Sequence, residues 1–181
     1  MTTLQRCIEL LGNNLVHYVH TNHPDAYTAR EVAKAEHRPL SMFAKTVIFY
    51  SARGYGMAVL PADCVIDLDE LAMTLNLIRI RLATEAEICQ VCPDSEVGAM
   101  PPFGGLFDLP VYVDARLTEE KYIFFNAGTH RDTIHMSFAD YFRVANPLIT
   151  RFACPEVLWL RREPEAANDY VQAHTFPGGF F

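Results

Sequence analysis

No stretch of this 181-residue chain approaches the roughly 20 consecutive apolar residues that span a bilayer. The N-terminal MTTLQRCIELLGNN carries Arg6 and Glu9 inside its apolar pattern, unlike the layout of a signal peptide. These two absences argue against a spanning or exported protein and lead us to expect a cytoplasmic one. Basic charge is also scarce. Three lysines and twelve arginines face 22 acidic residues, for a net charge of −7, and the basic residues form no run. Broad, tight duplex binding draws on a positive patch, so charge argues against it. Contact with one end of an RNA needs few phosphates and stays open. Cysteine is present five times, at irregular spacing, which argues against a disulfide framework. Cys89 and Cys92 form a CxxC, but at the end of the short helical segment TEAEICQVCP rather than after a strand, and with no second pair nearby. A redox or zinc role wants those settings, so ordinary helix residues are the better reading. No GxGxxG, Walker-type loop, GxSxG or HExxH is present.

What remains is the composition of a globular domain, half hydrophobic and one fifth charged. Its length suits one domain with a small appendage. Apolar Leu4, Cys7, Ile8 and Leu11 predict an amphipathic helix over 3–12, ended by Gly12-Asn13. Residues 15–21 read as a strand, and Thr28 with Glu31 as a capping box opening a helix to about 37. MFAKTVIFYS and YGMAVLP, joined at Arg53-Gly54, predict a hairpin buried on both faces. Asp67 and Glu70 open a helix to about 75, residues 78–83 read as a strand, and Thr84 with Glu87 caps the CxxC helix. Strands follow at 110–114, 122–128 and 132–137, and Ser137 starts a helix that Asn146-Pro147 stops. Mixed strands and helices with short turns predict an α+β fold, a mixed sheet flanked by short helices. From about Pro155 the composition shifts, which sets a domain at 1–154 and a C-terminal extension at 155–181.

The stretch Gly98–Asp114, GAMPPFGGLFDLPVYVD, stands out. Three prolines keep it from being a helix or a central strand. Its glycines let backbone N–H groups approach a ligand, which suits a carbonyl oxygen or an oxyanion. A long structural loop is the plain alternative. Lys45 sits among Phe43, Ala44, Val47, Ile48 and Phe49, where an ammonium favours a nearby anion or carbonyl; a snorkelling lysine at a strand edge is the alternative. Asn126, Gly128 and His130 occupy a strand end and tight turn, suited to orienting a substrate or to local turn bonding. His17, His20 and His23 alternate faces in an extended segment and do not read as a metal site.

FAKTVIF (43–49), the GAMPPFG…LPVYVD segment and FNAGTH…SFADYFRV (125–144), preceded by HPDAYTAREVAKAEH (23–37), occur in the order seen in the YbaK-like, prolyl-tRNA-synthetase-associated editing-domain family, which this chain resembles over roughly residues 15–150. The resemblance implies hydrolysis of the ester that joins a wrong amino acid to a tRNA 3′ end. It implies no metal or organic cofactor, no membrane, and a mischarged tRNA acceptor end as partner. A synthetase is a second candidate partner, and a homodimer stays open. The family's lysine maps onto Lys45, its GxxxP loop onto Gly98–Pro102 and its glycine turn onto Gly128-Thr129-His130. Lys45 and Gly98 are then the expected catalytic residues. Phe43, Thr46, Met100, Pro102, Phe103, Gly104, Asn126, Gly128 and His130 are the expected substrate-binding residues. The bulk of Met100 and Phe103 hints at a small amino acid such as alanine or serine. No protein general base is evident near these motifs, so substrate-assisted attack of water is expected. The competing class is a non-catalytic module that binds a tRNA end, an amino acid or a synthetase with the same pocket.

Overall fold

The computed structural model describes residues 1–23 and 38–162. The helix expected up to residue 37 and the tail from 163 lie outside the described residues. Helix α1 (Thr3–Asn13) opens on a capping box: the Thr2 hydroxyl accepts from the Gln5 N–H and the Gln5 side chain accepts from the Thr2 N–H. Thr3, Cys7 and Leu11 form its buried stripe, each four residues apart. Strand β1 (Tyr18–Asn22) starts later than the expected residue 15, because Leu15 takes a positive φ of 53° and is exposed.

Strands β2 (Ala44–Ser51) and β3 (Gly54–Pro61) form the expected hairpin, with Gly54 at φ +101° in the turn. Side chains alternate between the two faces of a strand, and here each face meets its own core. Ile48, Met57 and Val59 join the main core with Phe103, Val113, Ile123, Phe125, Ile134 and Tyr141. Phe49, Ala58 and Leu60 join a second core with Ile66, Leu71, Leu77 and Phe152. Burying each large side chain contributes about 1.5–3 kcal/mol, so this hairpin, apolar on both sides, anchors the fold. Strand β4 (Cys64–Ile66) follows, then helix α2 (Leu68–Leu75), capped by the Asp67 carboxylate on the Glu70 N–H. The strand expected over 78–83 shrinks to β5 (Arg81–Leu82), because Arg79 adopts φ +56°, which ends an extended run. Helix α3 (Glu85–Val91) carries the Thr84–Glu87 capping box, with Arg81 closing a bidentate pair on Glu87 at 2.7 and 2.8 Å.

Strand β6 (Val111–Asp114), β7 (Tyr122–Asn126), β8 (Asp132–Ser137) and helix α4 (Phe138–Ala145) follow. Ser137 caps α4 on the Asp140 N–H, and Asn146 ends it in the left-handed region at φ 45°. The chain then adds β9 (Leu148–Thr150), β10 (Ala153–Pro155) and helix α5 (Glu156–Arg162), none of which the sequence pattern announced. Asp114 holds them: its carboxylate, 1 % exposed, accepts from the backbone N–H groups of Phe152 and Ala153 at 2.8 and 2.7 Å.

The five-stranded sheet runs β5-β2-β3-β6-β9, antiparallel except for the parallel β3/β6 and β6/β9 pairs. A three-stranded antiparallel sheet runs β1-β8-β7, and β4 pairs with β10. A single bridge between Phe43 and Phe124 links the start of β2 to β7. The fold is therefore α+β with a mixed sheet and short helices. Among the described residues no helix is long and apolar enough to cross a membrane.

Candidate functional site

Two glycine loops meet edge to edge. Gly98 has φ +84° and Gly128 has φ +101°, conformations that favour glycine. The Gly128 N–H donates to the Ala99 carbonyl at 2.8 Å, and the Glu96 N–H donates to the Gly128 carbonyl at 2.8 Å. The His130 N–H donates to the Glu96 carboxylate at 2.7 Å, and the His130 Nε2 lies 3.1 Å from the Val97 carbonyl. Residues some thirty positions apart are thus stitched by four short bonds, with the backbone of Gly98 half-buried at the seam. A Cβ added to Gly128 would come within 2.7 Å of the Thr3 side chain, so the N-terminus of α1 presses directly on this turn.

The Gly128 turn owes its shape to Asp132. The Thr129 hydroxyl donates to one carboxylate oxygen of Asp132 at 2.6 Å and accepts from the backbone N–H groups of Arg131 and Asp132, both at 3.1 Å. The other oxygen accepts from Asn22 at 2.9 Å and meets His20 Nε2 at 2.8 Å, tying strand β1 to the turn. Asp132 is 7 % exposed. Burial alone would raise its carboxyl pKa, but the bonds from Thr129, Asn22 and His20 prevail and hold it below the ordinary value. A hydrogen-bonded carboxylate in this position is a fixed negative anchor for the turn.

Lys45 lies on β2, whose start is bridged to β7, the strand that leads into the Gly128 turn. The rings of Phe43 and Phe124 stack with centroids 4.8 Å apart, which puts them on one face of the linked strands. Alternation then puts Lys45, two residues after Phe43, on the same face as Asn126, two residues after Phe124. Lys45 and Asn126 are both half-buried. The structure therefore gathers Phe43, Lys45 and Asn126 on one face, and bonds Gly128 and His130 to Glu96, Val97 and Ala99, the residues that flank Gly98.

The other expected residues lie deeper. Met100 and Phe103 are 3 % and 1 % exposed, and Phe103 packs edge-on against Phe125 and Tyr141 at 5.5 and 5.6 Å. Both side chains belong to the main core and carry the Gly98 loop from beneath. Pro102 is buried, and a Cβ on Gly104 would collide with the Leu109 carbonyl, so this glycine serves close packing of the loop on itself. Thr46 points to the core face; it is 7 % exposed and its hydroxyl has no hydrogen-bond partner. That orphan hydroxyl is an open polar point against an otherwise apolar wall.

Sequence reasoning missed the roles of Glu96, Asp132, His20 and Asn22, and named Thr129 only as part of the glycine turn. The spacing Thr129-x-x-Asp132 at a turn was a local signal for part of the network. Nothing local marks His20, whose partner is 112 residues away. The CxxC reads as expected for structural residues: Cys92 is fully buried while Cys89 is exposed, and burial pushes the Cys92 thiol up to about 12.

The chain is similar to known proteins over most of its length. The sequence profile of the family described as "Aminoacyl-tRNA editing domain" matches residues 23–144. The chain is 30 % identical over 156 residues to a protein named "Multifunctional Ser/Thr-tRNA deacylase ProXp-y" from Escherichia coli strain K12, covering 83 % of this chain and 92 % of that protein. Its fold is similar to the crystal structure of a candidate trans-editing enzyme for prolyl-tRNA synthetase, with a TM-score of 0.73 at 19 % identity, covering 84 % of this chain and 97 % of that one. A hypothetical protein of known structure gives a TM-score of 0.75 at 17 % identity, over 82 % and 99 % of the two chains.

Proposed function

This chain belongs to the aminoacyl-tRNA editing-domain family, and from that premise we propose that it hydrolyses the ester between a small, wrongly attached amino acid and the 3′ end of a tRNA. The observation that carries this reading is the seam between the Gly98 loop and the Gly128 turn, beside the face that holds Lys45 and Asn126. As water attacks the ester carbonyl, its oxygen becomes an oxyanion. Backbone N–H groups of the Gly98 loop stabilise that charge, and each well-placed donor in such a hydrolase is worth about 10²–10³ in rate. The loop is suited to this because its shape is fixed in advance by the four bonds to the 128–130 turn. Lys45 supplies positive charge next to the carbonyl or the terminal phosphate.

Asn126 and Phe43 contact the acyl end of the substrate, with His130 and Gly128 at its margin. Met100, Pro102, Phe103 and Gly104 set the volume from behind, and Thr46 backs the site from the core face of β2, opposite Lys45. A ribose hydroxyl of the terminal nucleotide positions the water. The preferred amino acid is serine, threonine or alanine; the name of the Escherichia coli relative supports the first two. A synthetase partner is in keeping with the trans-editing description of the similar fold.

The test is deacylation of a panel of labelled mischarged tRNAs by the wild type and by Lys45→Ala. Selective hydrolysis, reduced about 100-fold or more in the variant while its denaturation midpoint holds, supports the enzyme. Specific binding of charged tRNA with no turnover by the wild type defeats it in favour of a binding module. A substrate ending in a deoxy-sugar that reacts at full rate removes the ribose-assisted step.

A further inference from the structure

The face of the bridged strands β2 and β7 that carries Lys45 and Asn126 continues along β7 into a feature that the deacylase reading leaves unused. At the far end of β7 and β8 lies a cleft of about 300 Å³ whose lining includes His17, Val19, Tyr122, His135, Ser137 and Asp140. A column of rings leads to it. Phe43 stacks on Phe124 at 4.8 Å, Phe124 stacks on His135 at 4.2 Å with planes only 7° apart, and His135 meets Tyr122 at 5.2 Å. The column begins two residues from Lys45, where its rings are buried, and ends in the open, where Tyr122 is 37 % and neighbouring Val19 is 57 % exposed. From Asn126 to Tyr122 the strand covers about 13 Å.

The charges around the cleft fall into a pattern. Lys121 stands over the Tyr122 ring at 5.3 Å. The Asp140 carboxylate, the one acid among the described lining residues, is paired with Arg143 at 2.9 Å and accepts from the Ser137 hydroxyl at 2.8 Å. Arg143 is half exposed. The cleft thus offers aromatic and aliphatic contact, a lysine over the Tyr122 ring, and a lining acid already paired with an arginine. That combination suits a flat, uncharged base attached to an anionic backbone, the chemistry by which single-stranded nucleic acid is held on aromatic platforms.

We propose that the Tyr122–His135 cleft seats an unpaired base of the tRNA 3′ end, a cytosine preceding the terminal adenosine, while the esterified adenosine occupies the Lys45–Asn126 face. The inference rests on the deacylase reading of that face. Few phosphates are engaged in this mode, in keeping with a net charge of −7.

The experiment compares three serine esters as substrates: full-length tRNA, a CCA trinucleotide and adenosine alone. They are tested with wild type, Tyr122→Ala and the ring-keeping Tyr122→Phe. The expected result is a loss of about tenfold in kcat/KM for Tyr122→Ala on both the tRNA and the trinucleotide, from one lost stacking contact. The adenosine ester should react as in wild type, and Tyr122→Phe should restore the loss. An equal loss on all three esters means that Tyr122 merely supports the site, and overturns the proposal. So does a loss confined to full-length tRNA, which would put the contact in the duplex, or no loss at all, as a protein-docking cleft would give. If the wild type hydrolyses none of the esters, the deacylase reading fails separately. Binding of an uncharged CCA-ended oligonucleotide then decides the cleft: affinity reduced by Tyr122→Ala supports it, and unchanged or absent binding overturns it.

Discussion

The Gly98 loop and the Gly128 turn meet at one seam but are held by different physics. From Ala99 to Gly104 the first loop is buried, its rigidity coming from prolines and from Met100 and Phe103 sunk in the main core. The second turn buries little bulk. It is fixed by polar bonds that converge on Asp132 from Thr129, Asn22 and His20. One loop is anchored by shape and the other by hydrogen bonding. A site assembled from both responds differently to a lost methylene and to a lost charge.

The largest effect should come from emptying the anchor of the first loop. Phe103→Ala removes a ring packed between Phe125 and Tyr141, and is expected to lower unfolding free energy by about 3–5 kcal/mol in chemical denaturation. A loss under 1 kcal/mol would mean that the loop is not held by the core. Next comes the second turn. Gly128→Ala imposes a side chain at φ +101° and against Thr3, and should cost about 2–3 kcal/mol. Adding Thr3→Ala should recover only part of that cost, since it relieves the contact and leaves the dihedral strain. Full recovery would assign the whole cost to the contact.

A smaller and pH-dependent effect tests the polar anchor. The Asp132 pKa is depressed in the folded protein, so its contribution is present above the unfolded carboxylate value of about 3.9 and is lost as pH falls through the folded value. Asp132→Asn should flatten the acid limb of the stability curve below about pH 4 and cost about 1–2 kcal/mol at neutral pH. An unchanged acid limb would show that the three bonds do not depend on ionisation. Phe103→Ala, by contrast, should shift the curve without changing its pH dependence.

Much of the fold was legible because its signals are short-range. Asp67, Thr84 and Ser137, read as helix starts, each cap the helix that follows through bonds spanning three residues, and Thr2 does the same for α1, which the sequence announced only by its apolar spacing. The apolar runs of β2 and β3 announced a hairpin buried on two faces. The strand expected at 78–83 failed at Arg79, whose left-handed backbone no propensity marks. Strands β9 and β10 went unseen because three residues each carry no periodicity, and their hold on the molecule is Asp114 reaching Phe152 and Ala153. At the candidate site, Gly98, Gly128 and Lys45 stood out by residue type, and the family resemblance made them expected site residues. The depth of Met100 and Phe103 was not, since a bulky side chain beside glycines reads equally as pocket wall or as core.

By itself, then, the sequence determined most of the elements before residue 146 and the caps at Asp67, Thr84 and Ser137, because those depend on bonds and sterics within a few residues. Only the tertiary structure decided that Gly128 bonds to Ala99, that His20 finds Asp132 across 112 residues, and that four rings line up from Phe43 to Tyr122. Those contacts follow from how β1, β7 and β8 pair and where β2 meets them. Strand pairing is set by the burial of whole faces, a property of the closed molecule that no local window contains.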